Sequence, residues 1–131
     1  IIMNTERLKE LYLEYGLEKN DVFKHQHYVI ITRSGIEKIQ AKAGITITYT
    51  TEVLEKDFAV IKSFATKGDV RLETYGSALK GATHREGNTN SWYVAEMAEK
   101  RAFSRAVLKI TGFYECGVFG EDEAEDFKRK A

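Results

Sequence analysis

An α+β fold is the architecture this sequence predicts: an antiparallel three- to four-stranded β-meander, a long amphipathic helix packed across it (a β-β-β-α core), and short helices on the N-terminal side. Three observations lead there. Between Ile45 and Val53 the hydrophobic period is two, two further strand-like runs follow behind tight polar turns, and from Ser91 to Gly112 the period becomes helical. A chain of 131 residues fits one domain, and 43% hydrophobic residues, with seven Phe and seven Tyr, suffice for a packed core. Within that single domain, residues 1–20 read as a helical arm, 28–112 as the core, and 113–131 as a hydrophobic and then acidic segment.

Taken in order, Leu8, Leu11, Tyr12 and Tyr15 recur at helical spacing and stop at Gly16, so a short helix is expected over Asn4 to Tyr15. Asp21 to His27 is polar and reads as a connection. YVIIT, from Tyr28 to Thr32, is a β-branched strand. Ser34 is placed to cap a helix over Gly35 to Ala43, with Ile36, Ile39 and Ala43 on one side and Gly44 as its stop. Ile45, Ile47, Tyr49, Thr51 and Val53 then alternate with polar residues, as a strand with one buried face requires. Glu55 to Asp57 turns the chain into FAVIKSFAT, a more uniformly apolar and therefore central strand. Gly68 and Asp69 turn it again into VRLETY. Gly76 to Asn90, with three glycines and many polar residues, reads as an exposed mobile connection.

The long helix carries two different faces. Ala95, Ala98, Ala102 and Ala106, widened by Phe103, Val107 and Ile110, form the apolar stripe, with Asn90 or Ser91 placed to cap its start. On the other face stand Lys100, Arg101, Arg105 and Lys109, with no acid between the first and the last. Arg101, Arg105 and Lys109 lie four apart on one line, a spacing of like charges that costs helix stability unless an anion relieves it. The plain alternative is a solvated face with Lys100 paired back to Glu96.

Formal net charge is zero, so no global field draws in a polyanion. The charge is nonetheless segregated: the basic helix is followed by Glu115, Glu121, Asp122, Glu123, Glu125 and Asp126 without a base among them. A local anion site beside an acidic tail is compatible with that pattern. Cys116 is the only cysteine, which excludes an internal disulfide and suggests a reducing setting. No apolar run reaches the ~18 residues of a membrane span and no signal peptide precedes Asn4, so no membrane partner and a cytoplasmic location are expected.

Enzymatic motifs fare poorly. GSALKGAT, from Gly76 to Thr83, has P-loop glycine spacing, but Ala82 stands where the phosphate-binding lysine belongs. His25, His27 and His84 lack partners at zinc spacing, so no metal site and no cofactor are expected. Asp57, Asp69 and Glu73 with Lys62 could in principle serve a metal-dependent nuclease, a third-ranked reading. Cys116 sits among apolar residues and reads as a buried thiol.

Non-enzymatic binding gains from the neighbourhood of the helix. Lys80 and Arg85 lie in the connection leading into it, and Tyr75, Trp92 and Tyr93 flank that connection. Single-stranded nucleic acid is held by cations along its phosphates and rings under its bases. Tyr75 and Tyr93 are the stacking candidates, whereas core packing is expected for Trp92.

The element order and AEKRAFSRAVLKITG, from Ala98 to Gly112, resemble the single-strand annealing proteins of homologous recombination, among them the phage Erf-like proteins and the DNA-binding domain of the eukaryotic mediator Rad-fifty-two. Lys100, Arg101 and Ala102 match the Lys-Arg-Ala motif of that superfamily's long helix, with Arg105 one turn on and Gly112 at the end. The resemblance spans Tyr28 to Phe119. It implies an ATP-independent, non-enzymatic phage or prophage recombination protein that binds single-stranded DNA, or RNA, as a homo-oligomeric ring or filament. On that basis Lys100, Arg101, Arg105 and Lys109 meet phosphates, Lys62, Lys80 and Arg85 line the groove, and Arg33 and Lys38 extend it. Domains of this kind are often strongly basic, unlike this neutral chain. A second expectation comes from another class: an oligomeric scaffold whose basic helix face docks the acidic Glu121 to Asp126 segment of a neighbouring subunit.

Overall fold

Alternation within Phe58 to Lys67 decides how the layers stack. Ala59, Ile61, Ser63 and Ala65 are buried while Phe64 is 38% exposed, so this strand covers a core on one side only. The computed structural model describes residues 5–81, 87–89 and 92–123. Its elements are α1 (Thr5–Glu14), a 3₁₀ turn (Lys19–Asp21), β1 (Val22–His25), β2 (Tyr28–Ile31), α2 (Arg33–Ala43), β3 (Thr46–Leu54), β4 (Phe58–Lys67), β5 (Val70–Leu79), α3 (Val94–Ile110), a second 3₁₀ turn (Tyr114–Cys116) and β6 (Val118–Gly120). The predicted α+β meander is present as β3-β4-β5, antiparallel throughout with β4 in the centre, and α3 lies across β4 and β5.

A second sheet accompanies it, in the order β1-β2-β6. The supposedly polar connection after Asp21 contains β1, which pairs with β2 as a hairpin through Gln26, whose φ of 58° serves the tight turn. β6 runs parallel to β2, with Val118 opposite Val29 and Phe119 opposite Ile30. A strand of three residues, the last of them Gly120, carries no periodic signal, which is why β6 is invisible in the sequence.

Helix α1 is part of the core and not an appended arm. Its Leu8 and Leu11, with Tyr15 just beyond, are buried with Ile36 and Ile39 of α2, Phe103 and Val107 of α3, and Phe113. The Phe113 ring is fully buried, 5.9 Å from the ring of Tyr15 and 6.3 Å from that of Tyr12. Helix α2 begins two residues earlier than expected, because Thr32 and not Ser34 caps it: the Thr32 Oγ1 accepts the Gly35 amide at 3.1 Å. Gly44 ends it with φ 69°, as anticipated.

Two departures concern the meander. A register shift between Thr51 and Val53 moves Val53 opposite Val60 on the outer face, so the predicted inward alternation of β3 breaks there. As an edge strand little covered by α3, β3 leaves Tyr49 39% exposed. Strand β5 in turn continues to Leu79, four residues past the expected end, which converts Gly76 from a loop glycine into a strand glycine. A Cβ there would lie 2.1 Å from the Ala98 carbonyl oxygen and 2.4 Å from the Ala102 amide nitrogen. Helix and strand backbones touch at Gly76, with Ala98 and Ala102 supplying the small side chains. Beside that contact the Thr74 hydroxyl donates to the Ala102 carbonyl at 2.8 Å and pairs with the buried Ser63 hydroxyl. The start of α3, Val94, follows Trp92 and Tyr93, and the expected caps Asn90 and Ser91 lie outside the described residues. No described helix is long and apolar enough to cross a membrane.

Overpacking a core ordinarily costs about 1–3 kcal/mol. Because backbone and not a movable side chain opposes the new methyl, Gly76→Ala is expected at the upper end of that range, read as a lowered Tm in thermal unfolding with the helical signal otherwise native.

Candidate nucleic-acid interface

The outward carbonyls of β5 organise the basic face of α3. Arg105 donates from its Nη1 to the Tyr75 carbonyl at 3.2 Å, and Arg101 donates from its Nη1 to the Ser77 carbonyl at 3.0 Å. Asn88 completes the row: its Nδ2 donates to the Ser77 carbonyl, its backbone amide donates to the Leu79 carbonyl at 2.9 Å, and its Oδ1 accepts the Leu79 amide. Two members of the line of cations predicted from the four-residue spacing, Arg101 and Arg105, thus lie along the free edge of a strand. Their guanidinium groups meet acceptors that would otherwise face solvent.

This placement gives Arg101 a structural task. Its side chain is buried, and its Nη2 donates to the Asn88 carbonyl at 2.8 Å, which ties the segment around Asn88 to the helix. It is not on an open surface, contrary to the expectation of a phosphate contact. Arg105 is half-buried, and its Nε donates to Glu123 at 3.3 Å. Lys100 is exposed. Lys109 is exposed with its ammonium 5.4 Å from the centre of the Tyr114 ring. At the other end of the helix the Lys80 ammonium stands 5.0 Å from the centre of the Trp92 ring. Arg85 lies outside the described residues.

Three consecutive acids fold back onto this region. The Glu121 carboxylate accepts the Arg33 backbone amide at 3.0 Å, at the start of α2. Asp122 accepts from Ser104 at 3.0 Å and pairs with the Arg33 guanidinium at 3.4 Å. Glu123, buried, takes Arg105. Burial and the Glu123 carboxylate push the nearby Tyr114 phenol up, against the opposing pull of Arg105.

The remaining predicted residues do not join the β5 edge. Lys62 points from the outer sheet face, opposite Tyr75, and pairs with Glu73 at 3.1 Å, which raises its pKa. The Tyr75 side chain is 51% exposed. Arg33, besides Asp122 and Glu37, lies 5.0 Å over the Phe103 ring. Lys38 donates to buried Asp21 at 2.8 Å, and Asp21 also accepts the Glu18 amide at 2.9 Å. Those two hydrogen bonds, the lysine's foremost, hold the Asp21 carboxyl below the usual range.

Sequence reasoning missed Trp92, which is 78% exposed and not in the core, next to Tyr93 at 66%. One signal was available: both rings precede Val94, the first residue of the buried stripe. It also missed Asn88 and the folding back of Glu121 to Glu123, which depend on contacts between residues far apart in sequence.

The geometry bears on the enzymatic readings too. Gly76 to Leu79 belong to a strand and not a phosphate loop. Asp57 and Asp69 lie just beyond opposite ends of the ten-residue β4, roughly 30 Å apart at strand rise, and Glu73 is paired with Lys62. Among the described residues no three His, Cys, Asp or Glu side chains are grouped to hold a metal ion. Cys116 is buried, which pushes its thiol pKa up. No family model, curated protein or solved structure matches the chain.

Two measurements check these assignments. Arg101→Met removes charge-assisted hydrogen bonds that each contribute about 1.5–3 kcal/mol, so its unfolding midpoint in urea should drop clearly, while Lys100→Ala on the same helix should stay within about 0.5 kcal/mol. For Asp21, the lowered pKa means a stabilisation present above the unfolded value, about 3.9, and lost as the pH falls through the folded one. Asp21→Asn should therefore cost about 1–3 kcal/mol at neutral pH, with the gap to the unsubstituted protein closing below about pH 4.

Proposed function

We propose that this protein binds single-stranded nucleic acid, DNA in the first instance, in a non-enzymatic, ATP-independent role of the strand-annealing kind found in phage recombination. The observation that carries the reading is a series of cations with aromatic rings beside them along one edge of α3, of which the Trp92 and Tyr93 rings are largely exposed and the Tyr114 ring is half-buried. Lys80 with Trp92 and Tyr93 stands at one end, Arg105 in the middle, and Lys109 with Tyr114 at the other. From Val94 to Lys109 that edge extends about 22 Å at helical rise. Backbone phosphates demand cations along such a path, and bases demand flat apolar surfaces beside it. The resemblance of Ala98 to Gly112 and the β-β-β-α element order point the same way.

Within this reading Lys80, Arg105 and Lys109 neutralise phosphates, Lys100 adds long-range attraction, and Arg101 holds the strand edge and helix in register. The scaffold reading assigned the acidic segment to a neighbouring subunit. Glu121, Asp122 and Glu123 find their partners within the same chain, which favours nucleic acid over that alternative.

Fluorescence anisotropy with a labelled oligonucleotide across a salt series tests the proposal. Binding should weaken with salt, and a Lys80→Ala, Arg105→Ala, Lys109→Ala variant should lower the log–log slope by about 2, at roughly 0.7 per phosphate contact on a single strand. Salt-insensitive binding, no binding, or an unchanged slope in that variant would refute it. Sedimentation with and without the oligonucleotide reads out the ring or filament that the resemblance implies.

A further inference from the structure

A tryptophan seldom remains in water without a use, because its ring offers some of the largest apolar area of any side chain. Trp92 is 78% exposed, Tyr93 beside it 66%, and neither contributes to the buried stripe that begins at Val94. The Lys80 ammonium, 5.0 Å from the ring centre, covers part of one face. With most of the residue in solvent, the opposite face and the ring edge stay accessible.

We infer that Trp92 is a stacking platform for a nucleobase, with Lys80 holding the phosphate of the same or the adjacent nucleotide. The inference rests on the proposed single-strand binding and adds a specific base contact to it. Charge complementarity selects this occupant over an apolar protein surface. A cation over the ring strengthens its interaction with an anionic, flat-faced ligand, whereas burying that ammonium against a greasy partner would carry a desolvation penalty. Stacking of this kind reads no sequence, since every base has a π-face. Position supports it as well: Trp92 lies at the end of the cationic edge, where a strand following Lys109, Arg105 and Lys80 would leave the helix.

Trp92 is the only tryptophan, so emission of the unmodified full chain excited at the red edge, where the indole absorbs and tyrosine does not, reports on this ring alone. Titration with a thymidine oligonucleotide should quench that emission in step with the anisotropy change, and titration with heparin, a polyanion without bases, should leave it largely intact. Trp92→Ala should bind the oligonucleotide about 5- to 100-fold more weakly with the salt slope unchanged, because the ring neutralises no phosphate. Trp92→Phe should recover part of the loss. Lys80→Ala should do the reverse, lowering the slope by about 0.7. An exposed side chain contributes little to folding, and equal Tm values for the Trp92 variants check that.

Salt-sensitive binding with unaltered emission, or with wild-type affinity in Trp92→Ala, overturns the platform while leaving single-strand binding standing. Absence of any oligonucleotide binding overturns both. Equal quenching by heparin, or an emission shift that follows protein concentration alone, overturns the platform in favour of simple polyanion contact or self-association.

Discussion

Everything else in this molecule is arranged around a contact between two backbones. At Gly76 the strand β5 and the helix α3 approach so closely that not even a methyl group fits between them, and Ala98 and Ala102 provide the matching absence of bulk. Dispersion and apolar burial over Ala59, Ile61, Ala78, Val94 and Ala98 favour this approach. Polar groups caught inside it are satisfied by the Ser63, Thr74 and Ala102 chain of hydrogen bonds. Because the helix sits this low over the sheet, Arg101 and Arg105 reach the outward carbonyls of β5 and need not extend into solvent. The chemistry of the basic face is therefore a consequence of packing.

That dependence explains the division of labour along the charged line. Of four cations at helical spacing, Arg101 is consumed by structure, Arg105 is shared between the strand edge and Glu123, and Lys100 and Lys109 remain at the surface. Arginine suits the edge because its planar fork serves two acceptors at once, and lysine suits the surface as a hydrated point charge. Neutral net charge follows in part from the acids that fold back. Glu121, Asp122 and Glu123 compensate Arg33 and Arg105 locally and tie β6 to α2 and α3.

Local signals carried much of the architecture. The stop at Gly44, the central position of β4 and the stripe of α3 each depend on residues close in sequence, and all are found. What the sequence concealed depends on distance or on geometry without a period. β6 exists because β2 offers it a parallel partner, the bulge after Thr51 reverses one strand face, and the extension of β5 needs Asn88 and Arg101 to satisfy it. For the candidate interface, residue types and spacing located the right helix face but did not distinguish a guanidinium turned inward from one turned outward. Trp92 shows the opposite error: hydrophobicity suggested burial, while its place ahead of the stripe decided exposure.

The outer half of one rim of the meander is already occupied. An incoming strand that approached β5 between Tyr75 and Leu79 would find its acceptors already engaged by arginine and asparagine donors. A strand adding there would first have to displace Arg105, Arg101 and Asn88, so the helix guards this stretch of the sheet with the same side chains that hold it down.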